Sequence, residues 1–517
     1  MSKLAVFLGD DVYGFKPGEI IAITCYRDHI QRLERLTPAD IPALEQMHHD
    51  LLLDLRGKLV LPGLIDAHLH AIATGMLMLG TDLHDVTSVD ELAEAVRQAA
   101  AQDTEFVRLG GLDDSRLSAA DRQRITRTWL DELVPDRPLA IKSVEGHSGW
   151  FNTPAWKRVG IRPVLEGLSL ERALIDAMWE SGRVHGNAYE HITTPLYDSY
   201  TFEERRKALA LAIAAAQRAG LTGLHCMEGY GEHRRHDFKL ILELDHCEDI
   251  DLTLYCRDET PALAHELEVP RFGGCWCVDG AIGARSAAIS EPYTDQPDHC
   301  GELYYSAEQL KAWIEPALKL DMQVCLHTIG DRAIDLALSV YEQLKDRYDL
   351  RQLRPRLDHF IMGTAEQARR AAKLGIVSAM QPAFDARWGG TKGGYAQRLG
   401  AKRALNTNPV GEMIRAGLLV GGSSDSYITP LDPLSGIRAA MNHHNPMHQV
   451  DFDTAVRLFS EDAAYLAHQE LSRGRIAEEY LADFTVVDGD RELNADARVT
   501  LTIKQGKVVY DAQQSSA

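Results

Sequence analysis

The chain has 517 residues, with 55 Lys+Arg against 76 Asp+Glu and a formal net charge of −21. Hydrophobic residues at 45% and charged residues at 25% are ordinary globular usage, which excludes disordered and fibrous classes, and the acidic balance argues against a surface that tracks phosphates. No apolar run reaches the ~18 residues of a membrane helix, MSKLAVFLGDDVYGF lacks the long apolar stretch of a signal peptide, and the eight Cys are scattered, so the expectation is a reduced, cytoplasmic protein with no nucleic-acid or membrane partner.

GEIIAI near the start alternates like a half-buried strand. So do LADFTVV and VTLTIKQGKVVY near the end, where Gln505-Gly506 suits a hairpin turn. The two ends are expected to combine into one small β-domain, residues 1–58 plus 471–517. LVLPGLIDAHLH, from Leu59, is the first of eight short apolar runs that read as strands. LTGLHCM, DLTLYC, GGCWCVDG, MQVCLH, RLDHF, IVSAMQP and LLVGGSSD follow in order. Helix starts fall between them. Thr201-Phe-Glu-Glu204 is a capping box, and its Ala/Leu-rich helix stops at Gly220. Ser306 to Gln309, Thr364 to Gln367 and Asn408-Pro409 open further helices, with Gly375 and Gly417 past the ends of the last two. Helices alternating with apolar strands predict parallel pairing. Eight such strands predict an α/β fold with a (β/α)₈ TIM-type barrel over residues 59–470, rather than an open sheet. Residues 80–200 are too long for one crossover helix and hold the strand-like FVRLGG and PLAIKSV and the helical SVDELAEAVRQAAA. They are expected to form an inserted subdomain after the first strand.

In LPGLIDAHLH, strand alternation puts Asp66, His68 and His70 on one face. At the C-terminal end of a barrel strand, where such folds keep their active sites, the two His would chelate. HxH alone is a weak signal. However, MQVCLH ends in His327, RLDHF in His359 and LLVGGSSD in Asp425. Imidazoles and a carboxylate gathered at one end of several strands suit zinc and related divalent ions, and a purely structural barrel has no need of them there. Alternation also places Cys275, Cys277 and Asp279 on one face of GGCWCVDG.

LPGLIDAHLH, DGAIGARSAA, LHTIGDRA, LDHF and SSDSYITPLDPL together resemble the amidohydrolase superfamily, and more narrowly its family-3 branch, which includes N-substituted formamide deformylase-like proteins. The resemblance runs from about residue 57 to 490. It implies a barrel hydrolase with a β-sandwich domain built from both termini. It also implies His68, His70, His327, His359 and Asp425 as the metal-site set, for one or two divalent ions, zinc first. The branch usually carries a Lys four residues before the DG of DGAIGAR, a residue whose carboxylated form bridges two metals in the wider superfamily. Here that position is Cys275, which puts a lysine-bridged pair of metals in doubt. Two readings of Cys275 stand: a thiolate ligand, or a small buried filler.

EGHSGWFN resembles a family motif, in which His147 either reaches the substrate from a covering loop or holds Trp150 and Asn152 in place. Glu190 and Arg285 fall at recognisable family positions. Arg285 would bind a substrate carboxylate or pair with Asp279 or Glu291, and Asp279 is grouped with these as a substrate contact. Asp331 reads as orienting a loop or helix start, and His225 as a core residue or one behind the metal set. His443 and His444 are discounted, because they follow the eighth strand with no carboxylate partner in view. Trp150, Phe151, Trp156, Phe384 and Trp388 are candidates for apolar walls.

The expected chemistry is metal-dependent hydrolysis of a non-peptide C–N bond in a small-molecule amide or N-substituted formamide. The metal would lower the pKa of its water from about 15.7 towards about 7. Asp425 would carry the proton, and His327 or His359 would stabilise the oxyanion. The alternatives are a metal-dependent deaminase of a cyclic amidine and a non-catalytic binding barrel. A serine-nucleophile hydrolase is disfavoured, since no GxSxG occurs. A homodimer is compatible with all of these.

Overall fold

Each of the eight apolar runs contributes a strand to one sheet: β1 (Leu64–Leu69), β2 (Leu221–Glu228), β3 (Asp251–Cys256), β4 (Arg271–Cys277), β5 (Gln323–Thr328), β6 (Arg356–His359), β7 (Val377–Met380) and β8 (Leu419–Gly422). In this computed structural model, which describes residues 4–102, 104–168, 170–245 and 249–514, they pair in parallel and in chain order. The first and last three residues of the expected terminal β-domain lie outside the described residues. Strands covered on both faces read as continuous apolar runs, as these do. The segment just past β8 then meets β1. Asp425 N–H donates to His68 O at 2.9 Å, His70 N–H to Ser426 O at 2.8 Å, and Ser424 N–H to Asp66 Oδ1 at 3.1 Å. These bonds nearly close the barrel at the end that carries the site.

The capping boxes at Thr201, Ser306 and Thr364 form as read, opening the helices Phe202–Arg218, Ala307–Leu318 and Ala365–Leu374. The run from Leu59 to His70 is not one strand. Leu59–Pro62 pairs antiparallel with Phe484–Asp488 in a different sheet, and β1 starts at Leu64. Gly63 makes the break. A Cβ there would lie 2.4 Å from Thr222 Oγ1 and 2.6 Å from Asp483 Cβ, so only glycine lets the chain pass between the two sheets.

The chain ends form two further sheets. One holds Leu4–Gly9, Ile20–Tyr26, His29–Leu36 and Leu51–Asp54. The other holds Asp11–Val12, Leu59–Pro62, Phe484–Asp488, Arg498–Lys504 and Lys507–Asp511. Side chains from both share one apolar cluster, with the Phe7 and Phe484 rings 5.3 Å apart. Gln505 (φ 52°) and Gly506 (φ 73°) form the expected hairpin turn. Between β1 and β2, a five-stranded sheet joins Thr81–Asp82, Val107–Leu112, Leu139–Ser143, Ser148–Phe151 and Arg183–His185. The helix Val89–Ala100 begins at the Ser88 cap.

The helix Ala71–Leu79, directly after His70, crosses Phe202–Arg218 at Gly75. A Cβ at Gly75 would fall 1.7 Å from the Ala208 carbonyl oxygen. Gly75→Ala should therefore destabilise the protein by about 1–3 kcal/mol through overpacking, although Ala is worth about 1 kcal/mol more than Gly in a helix. Thermal or urea unfolding reads this. An unchanged or raised midpoint would mean the two backbones can part without cost.

Candidate metal centre

His68 lies at the end of β1 and His70 just past it, His327 sits in β5, His359 ends β6, and Asp425 follows β8. All five are buried, and the barrel brings them together. Ring centroids lie 4.8 Å apart for His68 and His359, 4.4 Å for His327 and His359, and 5.6 Å for His68 and His70. Asp425 Oδ1 is 3.4 Å from His70 Nε2 and 3.6 Å from His68 Nε2. Cys275 joins them: its Sγ lies 3.8 Å from His327 Nδ1 and 3.7 Å from His359 Nε2. The donor atoms of His68, His70 and Cys275 all lie within 4.8 Å of one another, as do those of Cys275, His327 and His359, and those of His68, His359 and Asp425.

Each imidazole is turned by a hydrogen bond on its outer nitrogen. His68 Nδ1–H donates to Asp358 Oδ2 (2.6 Å), His70 Nδ1–H to Met227 O (2.9 Å) and His359 Nδ1–H to Gln381 Oε1 (3.0 Å). His327 is reversed: Nε2–H donates to Gly280 O at 3.3 Å. In every case the other nitrogen faces the centre, toward Asp425 for His68 and His70 and toward the Cys275 thiol for His327 and His359, the tautomer that a metal-binding imidazole needs. Burial lowers His70 and His327, and takes His359 down to about 4, so these rings are neutral near pH 7. Burial would raise Asp425, but His70, His68 and His359 outweigh it and hold the carboxyl below its usual range.

Among the described residues, His68 Nε2 and Asp425 Oδ1 are buried atoms with no hydrogen-bond partner, and they face each other across 3.6 Å. Inward-facing imidazole nitrogens, an unpartnered carboxylate oxygen and a thiol converging in one buried space are donors of the kind that hold a zinc-like divalent ion. The residues fit such a group. Cys277 beside it, and then burial, push the Cys275 thiol up; a bound cation would reverse that by stabilising the thiolate. Cys275 (φ 66°), His359 (φ 73°) and Asp425 (φ 52°) adopt left-handed backbone, a cost that concentrates where side-chain aim matters.

A second cluster adjoins the first. His147 Nδ1–H donates to Glu190 Oε1 at 2.8 Å, and Arg257 Nη2 reaches Glu190 Oε2 at 3.2 Å. The Cys277 thiol donates to Glu190 Oε2 at 3.7 Å. Burial would lower the His147 imidazole, but Glu190 raises it more, to about 9. Burial would raise Glu190, but His147 and then Arg257 bring it down to about 2. The His147 and His327 rings are 4.9 Å apart. A cavity of about 620 Å³ opens from His147, His327 and Asp425 between Ile282, Ile428, Phe384 and Trp388.

Several expectations need correction. β4 does not alternate regularly. Its register shifts between Phe272 and Trp276, with Gly273, Gly274 and Cys275 all at positive φ. Cys275 therefore joins the metal donor set and Cys277 the His147–Glu190 cluster. Asp279 is not a substrate contact: it is fully buried and accepts backbone N–H groups from Ala288, Ile329 and Gly330. Arg285 is held by Asp295, with Nη2 at 2.6 Å, rather than by Asp279 or Glu291, and does not line the cavity. His443 and His444 do have a carboxylate, Asp385, at 3.4 and 2.9 Å. Of the five aromatics, Phe384 and Trp388 reach this cavity. Trp150 and Trp156 pack in clusters of the segment between β1 and β2. Asp66, although it shares a face with His68, holds Ser424 through its Oγ–H at 2.5 Å. Asp331 accepts the Ser290 N–H at the start of its helix, and His225 is buried against Arg356, as read. Asp358, Arg356 and Gln381 were missed. The signal for the first two was RLDHF itself, where a carboxylate directly precedes His359.

The amidohydrolase family 3 model, described as "Amidohydrolase family", matches residues 52–510. The chain is 29% identical over 513 residues to "Putative amidohydrolase YtcJ" of Bacillus subtilis (strain 168), covering 89% of this chain and 90% of that one. It is 24% identical over 468 residues to N-substituted formamide deformylase of Arthrobacter pascens, covering 85% of each. The solved structure of an uncharacterized metal-dependent hydrolase from Pyrococcus furiosus superposes with a TM-score of 0.70 at 25% identity, covering 95% of this chain and 100% of that one.

Proposed function

The chain belongs to the amidohydrolase family, in its family-3 branch, and is a hydrolase acting on carbon–nitrogen bonds; from this premise we propose that it cleaves an amide or N-substituted formamide with an apolar, aromatic-sized substituent, using a divalent metal, zinc first. The observation that carries this is the convergence of four imidazoles and the Cys275 thiol with the unpartnered His68 Nε2 and Asp425 Oδ1 at the mouth of a cavity walled by Phe384 and Trp388.

His68, His70, His327, His359 and Asp425 would hold the ion, with Cys275 placed to join them. When bound, the ion supplies Lewis-acid polarisation and a water acidic enough to react near neutral pH. Asp425 takes the proton of the attacking water and returns it to the leaving nitrogen. His147, kept cationic by Glu190, faces the same space and stabilises charge that develops on the substrate. This role replaces the one expected of His327 or His359, whose inward nitrogens belong to the donor set. Phe384 and Trp388 bury the substituent and orient the scissile bond. In the same reading, residues 80–200 are an inserted subdomain that brings His147 and Glu190 over the barrel mouth, residues 59–470 the barrel, and residues 1–58 with 471–517 a small β-sandwich.

The test pairs elemental analysis with product analysis. The purified protein should carry stoichiometric divalent metal, lost in His68→Ala/His70→Ala. On aromatic N-substituted formamides it should release formate and the amine. Ammonia together with the ring carbonyl product, from cyclic amidines only and with no formate from formamides, would move the reading to deamination. No metal after chelator-free purification and attempted reconstitution would remove it.

A further inference from the structure

We propose that Lys142 is the anion-binding residue of a second subsite, and that the substrate carries a carboxylate on an apolar body lying across the metal donor set from Phe384 and Trp388. The identity of the reacting bond rests on the preceding reading; the subsite does not.

Lys142 lies on the strand Leu139–Ser143 and stands where two cavities meet. One is the polar space lined by His70, Cys275, His327 and Asp425. The other is a separate cavity of about 630 Å³ with walls that include Leu77, Ile141, Phe151, Tyr189 and Leu196. Lys142, Tyr197 and Tyr427 line both. The Lys142 Nζ sits 3.7 Å from the Tyr427 ring centroid and donates to Tyr197 Oη at 3.5 Å. No carboxylate among the described residues pairs with it.

Lys142 is half-buried, and in lacking a carboxylate partner it is unlike other cations drawn into this fold. Lys504 is held by Asp251 and Asp483 at 2.5 and 3.0 Å, Arg356 by Asp358 at 2.6 Å, and Arg257 by Glu190 at 3.2 Å. An ammonium taken from water without an anion is costly. Burial accordingly brings the Lys142 amine down to about 7, although Glu190, Asp425 and Glu145, which line the same polar space without pairing with it, oppose the shift. A bound anion would restore the charge.

The same cavity holds a spare donor. Tyr189 is fully buried, and its hydroxyl has no partner among the described residues. One ammonium with phenolic hydroxyls suits a carboxylate, which accepts charge-assisted hydrogen bonds. A phosphate dianion would ask for a second cation. Arg108, the other cation on this cavity, is already turned to Ser199 and to the rings of Phe106 and Tyr200. The aromatic and aliphatic walls call for an apolar body behind the carboxylate.

Titration calorimetry on the metal-loaded protein tests this with 3-phenylpropionate and the neutral 3-phenylpropan-1-ol. The acid should bind tighter than the alcohol by about tenfold or more. Lys142→Met should abolish that preference while leaving the alcohol's affinity and the metal content unchanged. Equal affinities in the wild type, or no binding of either compound at millimolar concentration, would overturn the proposal without recourse to a variant. So would a preference that survives Lys142→Met but disappears in His68→Ala/His70→Ala, since that places the carboxylate on the metal donor set. Binding needs no turnover, so an enzyme that fails on every formamide would contradict the preceding reading alone.

Discussion

Asp425→Asn should leave a folded, metal-loaded protein whose turnover is lower by about 10²–10⁴-fold, the span expected when a positioned proton carrier is removed. Asparagine keeps the shape of the side chain and can still accept the N–H of Ile428's turn through an unchanged backbone, Ile428 N–H to Asp425 O at 2.7 Å. It loses the negative charge and the ability to carry a proton. Four imidazoles and the Cys275 thiol remain to hold the ion. Asp425 is singled out because its Oδ1 has no partner among the described residues and because it lines both the polar space and the aromatic-walled cavity. Single-turnover kinetics beside elemental analysis would check it. A wild-type rate would remove Asp425 from the chemistry. A variant stripped of metal would make it chiefly a ligand.

Arg356→Met should destabilise the protein by about 3–5 kcal/mol, the cost of leaving one charge of a buried pair uncompensated. Arg356 and Asp358 are both fully buried, with Nη2 and Nε of the arginine 2.6 and 3.1 Å from the carboxylate. The carboxylate also takes the Ala379 N–H and the His68 Nδ1–H. Burial alone would raise Asp358; Arg356 and His68 together hold it far below its usual range. Arg356 Nη2 further donates to Ala67 O at 2.7 Å, tying β6 to β1 directly beside His68. The effect should therefore reach the site. Asp358→Asn, which keeps an acceptor for His68 but not the charge, should weaken metal affinity by about 10–100-fold. Urea unfolding and metal competition titration separate the two effects. An Arg356→Met variant of wild-type stability would mean that water reaches this pair.

What the sequence by itself determined was the local part of the molecule. Capping boxes at Thr201, Ser306 and Thr364, the glycines that end helices and the Gln505-Gly506 turn depend on neighbours within a few residues and took the form read for them, and each of the eight apolar runs supplied a barrel strand. The convergence of His68, His70, His327, His359 and Asp425 was legible for the same reason, since strand ends in a barrel of parallel strands meet at one rim. Tertiary structure decided whatever depended on distant partners or on a break in regular geometry. Gly63 splits the first run because Thr222 and Asp483 crowd it. The β4 distortion sends Cys275 and Cys277 to different clusters, where simple alternation would have kept them together. Arg285 found Asp295, and His68 found Asp358, 290 residues away in the chain. Lys142 was passed over entirely, because a lysine in a strand reads as a solvated charge until the fold half-buries it between two cavities and brings no carboxylate to pair with it.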